Sequence, residues 1–317
     1  MILILVLLVV GIVLIVKGGD FFVDAASWIA EVSGIPKVII GATIVSLATT
    51  LPELLVSLLA AAQGKVDMAI GNAVGSVTAN LGLIMAIGLI CIPAIVKRKE
   101  YALKSVFMLA GCALVVICGR TGEVKTYIAV VMLAICALFF VENIINAKKA
   151  VKAGEETRPP KPTSKTTAVN VLKLIGGAAG IIIGANLLVN NGSELARLLG
   201  VSERIISVTI VAVGTSLPEL VTTITAVAKK QSALSVGNII GANIIDLTLI
   251  MPLCSVVSGK NLPVSASVAA LDLPISLIVG AIALIPMLIA SRFRRWQGFA
   301  LLGVYAVYLV LTCTWVH

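Results

Sequence analysis

The chain has one histidine, and it is the last residue, His317. A histidine-based metal centre or a Ser-His-Asp triad therefore has nothing to be built from. The six cysteines, Cys91, Cys112, Cys118, Cys136, Cys254 and Cys313, lie scattered through apolar runs and form no CxxC pair. They read as small buried hydrophobes, not as a thiolate metal site or a redox couple. There is no Gly-x-Gly-Asp phrase, which argues against an intramembrane hydrolase, and no acidic loop with EF-hand spacing, so no calcium-sensing domain is expected. Charge is scarce as well: 12% of the residues are charged against 59% hydrophobic, and the mean hydropathy is +1.12. No soluble domain has that balance, so the chain is a polytopic membrane protein and its broad partner is the lipid bilayer.

Long apolar runs are what the chain has instead. With ~20 residues needed to span the hydrocarbon core, about ten spans are expected. They fall near 2–30, 37–62, 68–95, 102–118, 124–146, 167–198, 204–228, 233–257, 266–290 and 296–315. No basic residue precedes the first run, Met1 to Val16, and no small-residue cleavage site follows it. A first transmembrane helix is expected there, not a signal peptide. A polar stretch from Ala147 to Thr166, with Pro159, Pro160 and Pro162 among six basic residues, reads as a flexible cytoplasmic connector.

If that connector is cytoplasmic and the spans alternate, the same side holds Lys37, then Lys97, Arg98, Lys99 and Lys104, then Lys229 and Lys230, then Arg292, Arg294 and Arg295. The other side holds Lys65, Arg120, Lys125, Arg197, Arg204 and Lys260. The basic excess lies inside, and both termini lie on the far side of a cell inner membrane. Topology thus accounts for the formal charge of +9, and no nucleic acid is implied. Trp28, Trp296 and Trp315 lie near span ends as interfacial anchors.

One phrase occurs twice inside the apolar runs: Thr49-Thr50-Leu51-Pro52-Glu53-Leu54 and Thr215-Ser216-Leu217-Pro218-Glu219-Leu220. A glutamate at membrane depth is costly and points to function. A proline there removes a backbone N–H and frees the carbonyl four residues earlier, that of Ala48 or Gly214. Such a break is tolerated only where the backbone is re-satisfied or lines a watery cavity. Freed carbonyls, hydroxyls and a carboxylate at one point make an all-oxygen cage, which suits hard cations. Asn80 and Asp246 each follow their motif glutamate by 27 residues; Ser76 and Ala242 lie one helical turn before them, on the same face. Asp20, Asp24, Glu142, Glu194 and Asp272 lie near span ends and are read as solvated.

The two phrases belong to an internal repeat. At a fixed offset of 166 (Glu53 to Glu219), residues 18–80 match 184–246 without a gap, including Thr43-Ile44-Val45 with Thr209-Ile210-Val211 and Gly71-Asn72 with Gly237-Asn238. Each half, 1–146 and 167–317, carries five expected spans, so the second enters the membrane from the opposite side. The expected fold class is all-α: ten transmembrane helices as two inverted five-helix repeats around a linker at 147–166, an architecture of secondary transporters.

With Gly-Asn-x-x-Gly following each, the phrases resemble the alpha-1 and alpha-2 repeats (here 41–80 and 207–246) of the cation/calcium exchanger superfamily, and most nearly prokaryotic sodium/calcium antiporters. The resemblance implies cation sites at the midplane of a helix bundle. Glu53 and Glu219 would be the central calcium ligands, joined by the carbonyls of Thr49 and Thr215. Ser46, Thr50 and Ser76 would match one sodium-type pocket, Ala212, Ser216 and Ala242 the other, with Asn80 and Asp246 flanking the middle site. The chain departs from the pattern at Ala48-Thr49-Thr50, at Gly75-Ser76-Val77 and at Gly241-Ala242-Asn243, and Ala242 lacks the hydroxyl expected of a sodium ligand.

The expected function is Na+/Ca2+ antiport by alternating access. The ions are substrates, no cofactor is implied, the chain is not an enzyme, and no obligate protein partner is inferred. Two carboxylates balance one Ca2+ or share their oxygens among Na+ ions, and protons should compete for them. Ca2+/H+ exchange and K+-dependent exchange fit the same fold, and a cation channel is a further alternative.

Overall fold

The computed structural model describes residues 2–91, 97–153, 163–200, 214, 216–259 and 261–315. Eleven helices are described: α1 (Ile2–Ser33), α2 (Lys37–Thr49), α3 (Leu51–Ala62), α4 (Val66–Cys91), α5 (Arg98–Thr121), α6 (Thr126–Ala153), α7 (Ser164–Leu198), α8 (Leu217–Ala228), α9 (Ser232–Val257), α10 (Val268–Ala290) and α11 (Arg295–Trp315). The only strands among the described residues are a two-residue antiparallel ribbon, Glu123–Val124 with Leu262–Pro263.

Of the ten expected spans, seven are single helices long and apolar enough to cross a bilayer, and an eighth is the α2–α3 pair, bent by 45°. In the expected span 204–228 the described part is α8; residues 201–213 lie outside the described residues. The last is the 21-residue α11. Helix also extends into the stretch read as a connector. α6 continues to Ala153 because Ala147–Ala153 is made of strong helix formers. α7 starts early because the Thr163 hydroxyl accepts the Thr166 N–H at 3.2 Å, an N-cap. The rest, with Arg158, Lys161 and the three prolines, lies outside the described residues.

The repeat is kept to the residue. α3 and α8 start at Leu51 and Leu217, and α4 and α9 at Val66 and Ser232. Within α4 and α9 the helix widens to a π turn that begins at Asn80 and at Asp246. All three pairs are 166 apart.

The chain forms two compact units, each drawn from both halves of the sequence. The first holds the residues up to Thr49 and Asn143–Asn238. Its core is Phe22, Val23, Ile40, Ile181, Ala226 and Leu234 with small neighbours. α1 and α7 run backbone to backbone along a glycine seam. A Cβ at Gly18 would lie 2.8 Å from the Gly177 carbonyl oxygen, and one at Gly184 2.7 Å from that of Gly11. Without a hydrophobic drive between helices in lipid, such close small-residue contact supplies the packing. α2 and the start of α9 interlock likewise: a Cβ at Gly41 would run into the Leu234 carbonyl, and one at Gly237 into that of Val38.

The second unit holds Thr50–Glu142 and Ile239–His317. Here α11 packs on α4, with Gly298 against the Ala86 carbonyl and Gly82 under Tyr305. Pro286 inside α10 leaves the Ile282 carbonyl without its helical donor. The buried Gln297 amide replaces that donor, bonding Ile282 O at 3.0 Å and Ala283 O at 2.9 Å.

The acidic residues near span ends have partners besides water. In the first unit Lys229 Nζ pairs with Asp24 (2.8 Å) and Asp20 (3.2 Å), and Arg197 with Glu194 (3.3 Å). In the second, Asp272 accepts from the Tyr308 hydroxyl at 2.9 Å. Lys104 is not a loop residue as expected: it lies within α5, 1% exposed, and pairs with Glu142 at 2.9 Å. The helix starts at Arg98, which carries Lys104 two turns inward, where only a carboxylate makes the ammonium tolerable.

Candidate cation site

Each motif glutamate sits in the first turn of a new helix. α2 ends at Thr49, Thr50 flanks the break, and Pro52 is the second residue of α3. A proline is harmless there because first-turn N–H groups have no intrahelical acceptor. Ser216, Leu217 and Pro218 build the start of α8 in the same way. Glu53 and Glu219, each 1% exposed, follow the proline. At a helix N-terminus the backbone dipole favours a negative charge, so the fold supports two carboxylates inside apolar surroundings.

In the first unit, polar groups gather at the start of α8. The Thr49 hydroxyl at the end of α2 donates to Asn238 Oδ1 at 3.2 Å. Asn238 Nδ2 donates to the Thr222 hydroxyl at 3.0 Å, and that hydroxyl donates to the carbonyls of Pro218 (2.9 Å) and Glu219 (3.0 Å). Ser46 is buried and donates to Thr43 O at 3.2 Å. Ser216 is buried and its hydroxyl has no hydrogen-bond partner among the described residues. The predicted Thr215 and Ala212 lie outside the described residues, as do Arg204, Lys260, His317 and Thr209-Ile210-Val211.

In the second unit the corresponding asparagine holds the start of α3. Asn72 Nδ2 donates to the Glu53 carbonyl at 3.1 Å and to the Ser57 hydroxyl at 2.9 Å. Thr50 is buried beside them at the break. Ser76 and Asn80 are buried one turn apart on α4. Asn80 Nδ2 donates to Asn243 Oδ1 at 3.0 Å, and its own Oδ1 has no partner among the described residues. Asp246 is fully buried at the first residue of its π turn. Single π turns inside α-helices recur at functional positions, because the extra residue re-aims side chains. Ala242 is buried and brings no hydroxyl; the next residue, Asn243, supplies the polar atom.

Among the described residues no three Asp, Glu, Cys or His side chains gather in reach of one metal ion. The polar groups described around the starts of α3 and α8 are hydroxyls, amides and backbone carbonyls, the oxygen-rich type of donor that suits hard cations. Sequence reasoning did not weigh Asn72, Asn238, Ser57, Thr222 and Asn243 as site residues. The signal was present for the first two: Gly-Asn recurs at the 166-residue offset.

A repeated membrane fold with proline-started helices that carry buried carboxylates defines a cation transporter. The chain belongs to the sodium/calcium exchanger family: the model described as "Sodium/calcium exchanger protein" matches residues 3–144 and 169–314. It is 30% identical to the sodium/calcium exchanger MaX1 of Methanosarcina acetivorans, covering 96% of this chain and 97% of that protein. It is 32% identical to the inner membrane protein YrbG of Escherichia coli, over 80% of this chain and 79% of that one. Among solved structures, the sodium-calcium exchanger NCX_Mj soaked with Na+ and Ca2+ matches with a TM-score of 0.80 at 29% identity, covering 98% of both chains.

Proposed function

We propose that this chain is a secondary antiporter that exchanges Na+ for Ca2+ across the membrane by alternating access. The observation that carries the reading is the pair of buried glutamates, Glu53 and Glu219, each in the first turn of a proline-started helix and 166 residues apart. Two carboxylates neutralise one Ca2+. Their oxygens, with the hydroxyls and amides around them, also serve Na+, so the two ions compete for one donor set. Exchange follows when each fully loaded state favours the conformational flip and the half-filled one does not. Membership of the sodium/calcium exchanger family supports the ion pair.

The ligand assignment is part of the proposal. Glu53 and Glu219 take Ca2+ with the carbonyls of Thr49 and Thr215. Ser46, Thr50, Ser76 and Ser216 serve Na+, Ala212 through its backbone, and Asn80 and Asp246 flank the central ion. The halves 1–146 and 167–317 are the inverted repeats, the linker faces the cytoplasm of a cell inner membrane, and both termini face away from it. No cofactor is implied, and no obligate protein partner is inferred.

Calcium-45 uptake into Na+-loaded proteoliposomes diluted into Na+-free buffer tests the reading, with Glu219→Gln in parallel. Uptake that needs the outward Na+ gradient and is lost in the variant supports it. Uptake driven by a proton or K+ gradient instead replaces the coupling ion, and equal uptake by wild type and variant removes the site.

A further inference from the structure

Two segments of the second unit bring six cations together. Lys97, Arg98 and Lys99 open α5, and Arg292, Arg294 and Arg295 lead into α11; all six are exposed. The segments are tied by Tyr101 and Phe293, both buried, whose rings meet edge to face at 6.3 Å. The second segment is also pinned from below: the Arg294 N–H bonds Gln297 Oε1 at 2.9 Å, and Gln297 is anchored on α10. The two backbone segments that carry the cations are thus held beside one another.

This arrangement opposes itself electrostatically. Among the described residues only Lys97 has an acidic partner, Glu100 at 3.5 Å. Arg98 and Arg295 are the first residues of α5 and α11, where the backbone already presents the positive end of a helix dipole. Topology requires only that such charges lie on the cytoplasmic side; it does not require them to be crowded onto helix starts. An anion would relieve the repulsion. Below the charges the same two helices expose apolar side chains, Leu103 and Val106 on α5 and Trp296 and Phe299 on α11. Charge at the head and hydrocarbon beneath is the profile of a phospholipid.

We infer that this face binds an anionic phospholipid of the inner leaflet, its phosphate held by the arginines and lysines and its acyl chains laid along α5 and α11. A diester phosphate accepts the forked guanidinium bonds that arginine offers. A zwitterionic headgroup brings its own ammonium, which offsets the phosphate charge, so the cluster holds it less strongly. The inference does not depend on which ions the protein exchanges.

The test starts from purified full-length protein in bilayer nanodiscs of equal phosphatidylglycerol and phosphatidylethanolamine, with retained lipid counted by native mass spectrometry. Phosphatidylglycerol should be enriched severalfold over the bulk ratio. The enrichment should fall to that ratio in a variant carrying Arg98→Gln, Lys99→Gln, Arg292→Gln, Arg294→Gln and Arg295→Gln. It should persist in Arg120→Gln with Lys125→Gln, which removes cations at the other end of α5. A photoactivatable phosphatidylglycerol on the wild type gives an answer even if the fivefold variant does not fold: label should concentrate in residues 97–106 and 292–299. Label spread evenly over all helices, or an unchanged enrichment in the folded fivefold variant, would overturn the site. Loss of the preference on adding inorganic phosphate would reassign it to a soluble anion, and acidic-peptide binding without any lipid preference would reassign it to a protein; either result overturns the lipid.

Discussion

Neighbouring glycines of α7 should respond oppositely to one added methyl. Gly176 is exposed, and among the described residues nothing lies within 4 Å of a Cβ built on it. Gly177 faces α1, where the same Cβ would lie 2.7 Å from both the Gly18 oxygen and the Phe22 nitrogen and 2.9 Å from the Phe22 Cβ. Non-bonded carbon contacts sit near ~3.5–4.0 Å, so the helices must part by roughly 1 Å. Two of the three obstacles are backbone, so no rotamer change relieves them. Alanine gains about 1 kcal/mol of helix propensity over glycine at either position. Overpacking costs ~1–3 kcal/mol and applies only at Gly177. The propensity gain cancels between the two variants, so the difference between Gly177→Ala and Gly176→Ala isolates the packing cost, ~1–3 kcal/mol. Thermal melting in one detergent, followed by tryptophan fluorescence, reads the order. Gly176→Ala should melt at or above the wild type and Gly177→Ala below it. Equal melting of the two variants would refute the backbone seam between α1 and α7.

Three further outcomes follow from buried contacts. Lys104→Met strands the Glu142 carboxylate and should cost ~3–5 kcal/mol in unfolding experiments, while Lys104→Met with Glu142→Leu should recover most of it; no recovery would mean the pair does not act as one. Asn72→Ala removes the amide donor to the Glu53 carbonyl and Ser57; a loss of about 1–3 kcal/mol from the Ca2+-bound state would raise the Ca2+ concentration for half-maximal uptake roughly five- to 150-fold with protein yield maintained; an unchanged value would remove Asn72 as a positioning residue. Ca2+ uptake should fall as pH falls, because protons compete with cations for carboxylates. Lys229 does not cause that fall. Partial burial works against its charge, but hydrogen bonds to Asp24 and Asp20 outweigh this and hold its pKa above the ordinary lysine value. The stabilisation from that tie is complete below the unfolded lysine pKa and is lost only as pH rises through the higher folded one, in the strongly alkaline range. If Lys229→Gln shifts the acid limb of uptake, the carboxylate account is wrong.

What the sequence made legible was whatever chain-local chemistry determines. The break at Pro52 and the burial of Glu53 and Glu219 were legible because a repeated phrase imposes the same backbone rules twice; the π turns at Asn80 and Asp246 keep the same offset, but no residue pattern announced them. The hydrogen bonds that position those groups were hidden for a different reason. Thr49 and Asn238 are 189 residues apart, and Asn80 and Asn243 are 163 apart. Nothing in spacing or periodicity pairs such residues.

Within each half the two copies use their asparagines differently. Asn72 bonds Ser57 and the Glu53 carbonyl within its own half, whereas Asn238 bonds Thr222, which corresponds to Val56 and not to Ser57; Asn238 also accepts from Thr49, whose counterpart Thr215 lies outside the described residues. Within their own halves, the two asparagines therefore take their hydroxyl partners at different offsets. At Ala242, likewise, a missing hydroxyl read as a lost ligand is followed by Asn243, whose amide oxygen accepts from Asn80 at 3.0 Å. In the proposed exchange, Glu53→Gln and Glu219→Gln should have like effects on Ca2+ uptake measured side by side, because each glutamate follows a proline in the first turn of its helix; a large effect of one alone would refute equal roles.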